Sequence, residues 1–379
     1  MLSFFTFAIG VNALWNVHPR EWLRNKWWLV GVAWVAIYAL TWFWSDDKKV
    51  WSTMAEVKLP ILLLPLAFSF LPRFSIRQLQ IITIGMGILL SASACYSLSF
   101  LITDTEYYVT QYRIAHLLPT LPKNDYIRGS LAMALYLIWC IYIWPSLQSR
   151  GVKATVAALA IFLVVFMHIL AAKSGLVSLY MFLAGWGIYL AIARRKLAGL
   201  LVIIAIPVIV VAAIKTIPTF RQRANHLDYT YYMYKAKDKS GNYGDISRLI
   251  SYKIAVELIK EAPAKGYGTG DMKQEMLRYY EQHYPELPEY ARLLPHNQFL
   301  TVALGCGVPA ACIFALWVFM PLAWIRRNRE GFFFFIVWLV IFLQLMIEPV
   351  LEIQFGVFVC LFFLLFQKKQ MAGGNSQLT

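Results

Sequence analysis

Charge is scarce in this chain. Of its 379 residues only 15% are Asp, Glu, Lys or Arg, against about 25% in an ordinary soluble domain. That scarcity argues against a water-soluble enzyme. The 60% hydrophobic content, arranged in long unbroken runs, excludes a disordered or low-complexity chain. Cysteine is also sparse. Cys95, Cys140, Cys306, Cys312 and Cys360 each sit in an apolar stretch and form no CxxC pair, so neither a disulfide framework nor a zinc site is indicated. A fixed-period repeat and a Ser/Gly-rich linker are missing too, and the chain reads as one membrane domain, 1–379, with a single large insertion.

What is abundant is apolar sequence of membrane-crossing length. A hydrocarbon core of ~30 Å takes ~20 helical residues at ~1.5 Å each. Stretches of that kind lie near 2–17, 27–45, 57–72, 78–103, 127–146, 154–171, 175–193, 197–215, 297–325, 331–347 and 350–366. The pattern predicts an all-α, polytopic transmembrane bundle of about 11–12 spans. The first stretch has no basic flank before it and no small-x-small cleavage site, so it is expected to be a span and not a cleaved leader.

The net charge of +15 is concentrated in alternate connections: Arg20, Arg24 and Lys26; Arg73 and Arg77; Arg150 and Lys153; Arg194, Arg195 and Lys196; Arg326, Arg327 and Arg329; Lys368 and Lys369. Only Glu21 and Glu330 oppose them, so one side carries +13 of the +15. By the positive-inside rule that side is cytoplasmic. The charge therefore orients the chain and gives no reason to expect nucleic acid as a partner. The insertion, residues 216–295, is expected on the outer face, with 12 basic and 10 acidic residues and a water-facing composition. A shorter outer loop, 104–126, holds Tyr107, Tyr108, Tyr112 and Arg113. The cytoplasmic connections are too short for a nucleotide-binding domain, which places any chemistry on the outer face, away from ATP and nucleotide sugars.

Within the insertion, Leu249, Ile250, Ile254, Leu258 and Ile259 fall at helical spacing over 246–262, and Pro263 ends the run. The turn Gly266-Tyr-Gly268-Thr-Gly270-Asp271 follows, then a second helical stretch to about His283, with Asp271 and Gln274 in a capping-box pattern. A glycine turn opening a helix can offer backbone amides to an anion, or can be a tight interhelical connection.

Other candidates flank the insertion. His296, in Pro295-His296-Asn297, begins the next span, where an imidazole can act as a proton acceptor. His168 lies near the outer end of a span, either functional or hydrogen-bonded to a neighbouring helix. Lys173, Arg221, Arg223 and Arg248 supply fixed cations suited to a phosphate or diphosphate, or to solvent and headgroups. Glu348 and Glu352, four apart about Pro349, either hold a cation or acceptor hydroxyl or mark the membrane boundary.

The order of these motifs resembles the O-antigen ligase and polymerase superfamily, integral membrane glycosyltransferases of bacterial surface polysaccharides. The resemblance rests on the Ala-Lys173-Ser-Gly175 turn, the Arg-bearing entry at Arg221 and Arg223, the helix led by Arg248 and the glycine turn. It also rests on His296-Asn297, followed nine residues later by Gly307-Val-Pro-Ala310. Lys173 stands where the family usually carries Arg, and Ala310 where Gly, Thr or Tyr is usual. The resemblance implies a GT-C-like bundle at the inner membrane that works without cofactor or metal. It implies a glycan donor on undecaprenyl diphosphate and an acceptor such as lipid A-core, joined by one inverting displacement. His296 would be the general base. Arg248, Lys173 and one of Arg221 and Arg223 would steady the departing diphosphate, and Asn297, Gly266, Gly268, Gly270, Glu348 and Glu352 would line the substrate. A polymerase or a protein O-oligosaccharyltransferase of the same superfamily is the near alternative, although one dominant outer loop favours the ligase. A lipid-linked glycan transporter is the distant one. Its usual marks, paired inverted repeats and broken helices, are not evident in the sequence.

Overall fold

The computed structural model describes residues 24–71, 74–114, 116–121, 124–235 and 244–371. The expected span at 2–17 lies outside them. The fold is all-helical, with no strand among the described residues. In chain order the helices are α1 (Lys26–Leu40), α2 (Lys48–Phe70), α3 (Ile76–Thr103), α4 (Thr105–Gln111), α5 (Tyr126–Ile143), α6 (Arg150–Leu170), α7 (Lys173–Ile188) and α8 (Leu197–Thr216). They continue as α9 (Pro218–Lys235), α10 (Gly244–Glu261), α11 (Met272–His283), α12 (Gln298–Cys306), α13 (Val308–Phe319), α14 (Arg329–Ile347) and α15 (Gln354–Met371). Among the described residues, eight helical segments are long and apolar enough to cross a membrane, and each coincides with an expected span. The second begins nine residues before the expected 57. Asp47 caps it by accepting from the Val50 amide at 2.8 Å, so the helix continues through the polar residues Lys48, Lys49 and Glu56.

The chain divides into two compact units, Phe74–Tyr232 and the flanking segments Met1–Arg73 with Met233–Thr379. In the first, α5 is the central helix and is buried along almost its whole length. It packs on α7, where Gly175 lies so close to Ser130 that a Cβ would sit 2.4 Å from the Ser130 Cβ. In the second unit, α1 packs on α13 through aromatic rings. Trp27 stacks on Trp317 with centroids 5.3 Å apart, and its Nε1 donates to the Trp317 carbonyl at 2.8 Å.

One expected span is not continuous. Residues 297–325 are broken at Gly307 (φ +87°), which separates α12 from α13. The cause is the glycine turn of the insertion, which docks into the break. The Tyr267 and Gly268 amides donate to the Leu304 and Gly305 carbonyls at 2.9 and 3.0 Å, and the Val308 amide donates to the Pro263 carbonyl at 2.8 Å. Hydropathy alone shows a continuous run here. The structure has a break, filled by the chain's own loop.

That loop has its own core. Ile254 and Leu258 of α10 pack with Met272, Met276 and Tyr280 of α11 and with Leu287, while Ile250 and Ile259 cover the edge. Of the expected apolar face only Leu249 is exposed. The second helix ends at His283 as expected.

Candidate active site

The turn between α14 and α15 gathers the side chains with the most chemical potential. Glu348 ends α14 in an extended conformation, and Pro349 turns the chain into a short 3₁₀ segment that ends at Glu352. The Glu348 side chain is 4% exposed and bridges two partners. Its Oε1 accepts from Arg248 Nη2 at 2.7 Å, and its Oε2 lies 2.9 Å from His296 Nδ1. A carboxylate at Nδ1 selects the tautomer with the proton on that nitrogen, which leaves the lone pair on Nε2. Nε2 has no partner among the described residues, and the His296 side chain is 21% exposed. Three candidates from distant parts of the sequence therefore meet in one cluster.

The backbone under His296 is held from three sides. Tyr252, one turn after Arg248 on α10, donates its hydroxyl to the His296 carbonyl at 2.6 Å. Burial raises the Tyr252 phenol above its ordinary value, so it stays a donor. Asn297 caps α12 by accepting from the Phe299 and Leu300 amides at 2.9 and 3.1 Å, and its Nδ2 donates to the Met346 carbonyl at 3.0 Å. Gln298 spans the last gap. Its Oε1 accepts from the Leu351 amide at 2.8 Å and its Nε2 donates to Glu352 at 2.6 Å.

Glu352 belongs to a buried network with Lys58 and Tyr38. Lys58, with a fully buried side chain, reaches its Oε2 at 2.8 Å and the Leu351 carbonyl at 2.6 Å. The Tyr38 hydroxyl donates to the same carboxylate oxygen at 3.2 Å, and the Lys58 ammonium lies 4.9 Å from the Tyr38 ring centroid. Glu352 is thus a counter-ion and brace. The signal for Lys58 was present as a lysine inside an otherwise apolar run.

The glycine turn does not fit the expected anion cradle. The amides of Gly266, Tyr267, Gly268 and Gly270 are engaged by the Ala262, Leu304 and Gly305 carbonyls and by Ser45 Oγ. Its glycines are needed for close approach. Gly266 and Gly268 have φ of +64° and +90°, and a Cβ at Gly268 or Gly270 would come within 2.4 Å of Ser45 Oγ or the Asp47 carbonyl oxygen. The capping-box reading of Asp271 is corrected as well. Its carboxylate accepts no hydrogen bond from its own helix and instead takes the Asp46 and Asp47 amides at 2.7 and 2.9 Å. The turn is a clasp joining the α1–α2 connection to the α12–α13 break.

The remaining candidates lie in the other unit. Lys173 is the first residue of α7 and is half-buried. Arg221 is exposed and turned back on α8, donating through Nε to the Ile214 carbonyl at 3.0 Å and through Nη2 to the Lys215 carbonyl. It acts as a cap on that helix's free carbonyls. Arg223 is half-buried, and its charge acts on the buried Tyr112 phenol, opposing the upward push of burial. His168 is buried, with Nδ1 2.7 Å from the Val164 carbonyl and Nε2 2.6 Å from the Tyr180 hydroxyl, which is the helix-to-helix role anticipated as one alternative. Among the described residues no group of three or more His, Cys, Asp or Glu side chains is placed to hold a metal ion.

Residues 135–315 match the O-antigen ligase family. The match supports membership of the O-antigen ligase and polymerase superfamily. No curated protein matches it. The superfamily match runs from α5 into α13 and takes in Lys173, Arg221, Arg223, Arg248, the glycine turn and His296. Glu348 and Glu352 lie beyond it. Within the matched segment, His296 and Arg248 place an imidazole and a guanidinium on one buried carboxylate.

Proposed function

We propose that this protein is a ligase that transfers a glycan from undecaprenyl diphosphate to lipid A-core at the periplasmic face of the bacterial inner membrane. The supporting observation is the convergence of Arg248 and His296 on Glu348. His296 Nε2 takes the proton of the acceptor hydroxyl, and the oxygen attacks the anomeric carbon from the face opposite the diphosphate. The carbon–oxygen bond to the diphosphate breaks with inversion, and the leaving group departs with the bonding pair. Arg248 steadies the growing negative charge. Its Nη2 donates to Glu348, and among the described residues the rest of its donor fork has no partner. Glu348 fixes the imidazole and balances the imidazolium as it forms.

The decisive assay is transfer by the purified protein from lipid-linked glycan to lipid A-core without nucleotide. Product carrying glycan on the core supports the ligase, and lengthening of the donor glycan instead would identify a polymerase. In that assay Arg248→Ala is expected to lower kcat/KM by about 10–100-fold, as one or two charge-assisted hydrogen bonds of ~1.5–3 kcal/mol are lost. Unchanged kcat/KM would remove Arg248 from the site.

Sidedness supplies a separate prediction, motivated by the concentration of +13 of the +15 charge in alternate connections. In a cysteine-free background, an impermeant thiol reagent added from the periplasm is expected to label single cysteines within 230–245 and to miss those at 195 or 328. The reverse pattern would place the insertion, and this chemistry with it, on the wrong side.

A further inference from the structure

At the opposite end of α1 from the His296 cluster lies a cavity of about 540 Å³ that the transfer reaction does not use. Arg24, Lys26, Trp27, Trp324 and Lys368 line it together with apolar side chains of α13 such as Phe319. The Lys368 ammonium sits 3.3 Å from the centre of the Trp324 ring and 5.9 Å from that of Trp27. Among the described residues no carboxylate pairs with Arg24, Lys26 or Lys368. Among the described residues three cations thus line a space with an apolar wall and no carboxylate. The first turn of α1 borders the same space and adds the positive end of its helix.

Position decides what kind of anion belongs there. From Lys26 to Phe43 the α1 segment runs 18 residues, about 27 Å at ~1.5 Å per residue, close to the thickness of a hydrocarbon core. Its far end is fixed to the catalytic side, where Thr41 Oγ1 meets Thr269 Oγ1 at 2.9 Å and Tyr38 reaches Glu352. A diphosphate served by His296 therefore cannot occupy the pocket. Indole rings beside cations are typical of a membrane–water boundary. A ligand here meets a phosphate-binding group on one side and hydrocarbon on the other.

We propose that this pocket binds the headgroup of an anionic phospholipid in the leaflet opposite the His296 cluster. The phosphate lies among Arg24, Lys26 and Lys368, and an acyl chain follows α13. Basic pockets between membrane helices recognise anionic headgroups by this combination of charge and apolar wall.

The test uses the full-length protein in phosphatidylcholine nanodiscs that contain a trace of photoactivatable phosphatidylglycerol. Crosslinks are expected in peptides spanning 24–27 and 316–324, displaced by unlabelled phosphatidylglycerol but not by added phosphatidylcholine. Arg24→Gln with Lys26→Gln, both at exposed positions, is expected to reduce labelling at least about fivefold, the order of effect of losing a cation near an anionic lipid. Lys368→Gln is expected to do the same, whereas Lys48→Gln with Lys49→Gln, at the other end of the unit, leaves labelling unchanged. Equal displacement by phosphatidylcholine would overturn the proposal, as would full labelling of both pocket variants. Displacement by inorganic phosphate alone would make the site one for a free anion and overturn the lipid assignment.

Discussion

Replacing His296 with Ala is expected to cut turnover by about 10²–10⁴-fold while donor binding changes little, the range lost when a positioned general base is removed. The geometry explains the separation. Nδ1 is held by Glu348 and the backbone is pinned by Tyr252, so Nε2 is the nitrogen left to act as base, and a donor contact is not needed for that role. The measurement is single-turnover transfer with saturating lipid-linked glycan, alongside binding of the same donor. Glu348→Gln keeps an acceptor for Nδ1 but lacks the charge that balances an imidazolium, so it should lower turnover without abolishing it. Asn297→Ala removes a helix cap and should appear mainly as lost stability of ~1 kcal/mol. If His296→Ala binds donor poorly yet turns over normally once saturated, the imidazole is a diphosphate ligand. The base would then have to be found elsewhere in the cluster.

The membrane spans were legible because apolar runs and flanking charges are local signals, and the eight long apolar helices coincide with stretches visible in the sequence. His296 and Arg248 were also legible, one as a histidine at a boundary, the other as the cation leading an amphipathic helix. What the sequence could not display was their connection. Glu348 lies 52 residues after His296 and 100 after Arg248, and no periodicity links positions so far apart. The glycine turn stayed open between two roles for a related reason. A glycine-rich turn before a helix has the same local appearance whether its amides face a ligand or a neighbouring helix. Only the docking of Tyr267 and Gly268 onto the carbonyls of α12 distinguishes the two. The same contact explains the break at Gly307, where hydropathy alone shows a continuous run. Arg221 and Arg223, two residues apart and equivalent in the sequence, separate in the structure because one folds back to cap α8 while the charge of the other acts on the buried Tyr112 phenol.

The second large effect is expected at Lys58, which no consideration of the outer loop would single out. Its ammonium has no contact with water and depends on Glu352, the Leu351 carbonyl and the Tyr38 ring. Lys58→Met removes the cation but leaves the carboxylate, which is 13% exposed, with Tyr38 and Gln298 as its remaining donors among the described residues. Breaking one side of a buried ion pair costs about 3–5 kcal/mol, and the partial exposure of Glu352 puts the expectation at the lower end, ~3 kcal/mol. Thermal unfolding of the detergent-solubilised protein measures this. Glu352→Gln alone strands the buried ammonium and should be at least as damaging, because Lys58 has no exposure through which to recruit water. The pair Lys58→Met with Glu352→Gln should be less destabilised than the sum of the single changes, since neither charge is then left uncompensated. Additive losses would mean that the two side chains act independently. Because Gln298 hangs from Glu352 directly beside Asn297 and His296, the double variant also tests whether the network serves the reaction as well as the fold. A variant restored in stability but still slow in transfer would assign Glu352 a part in holding His296 in place.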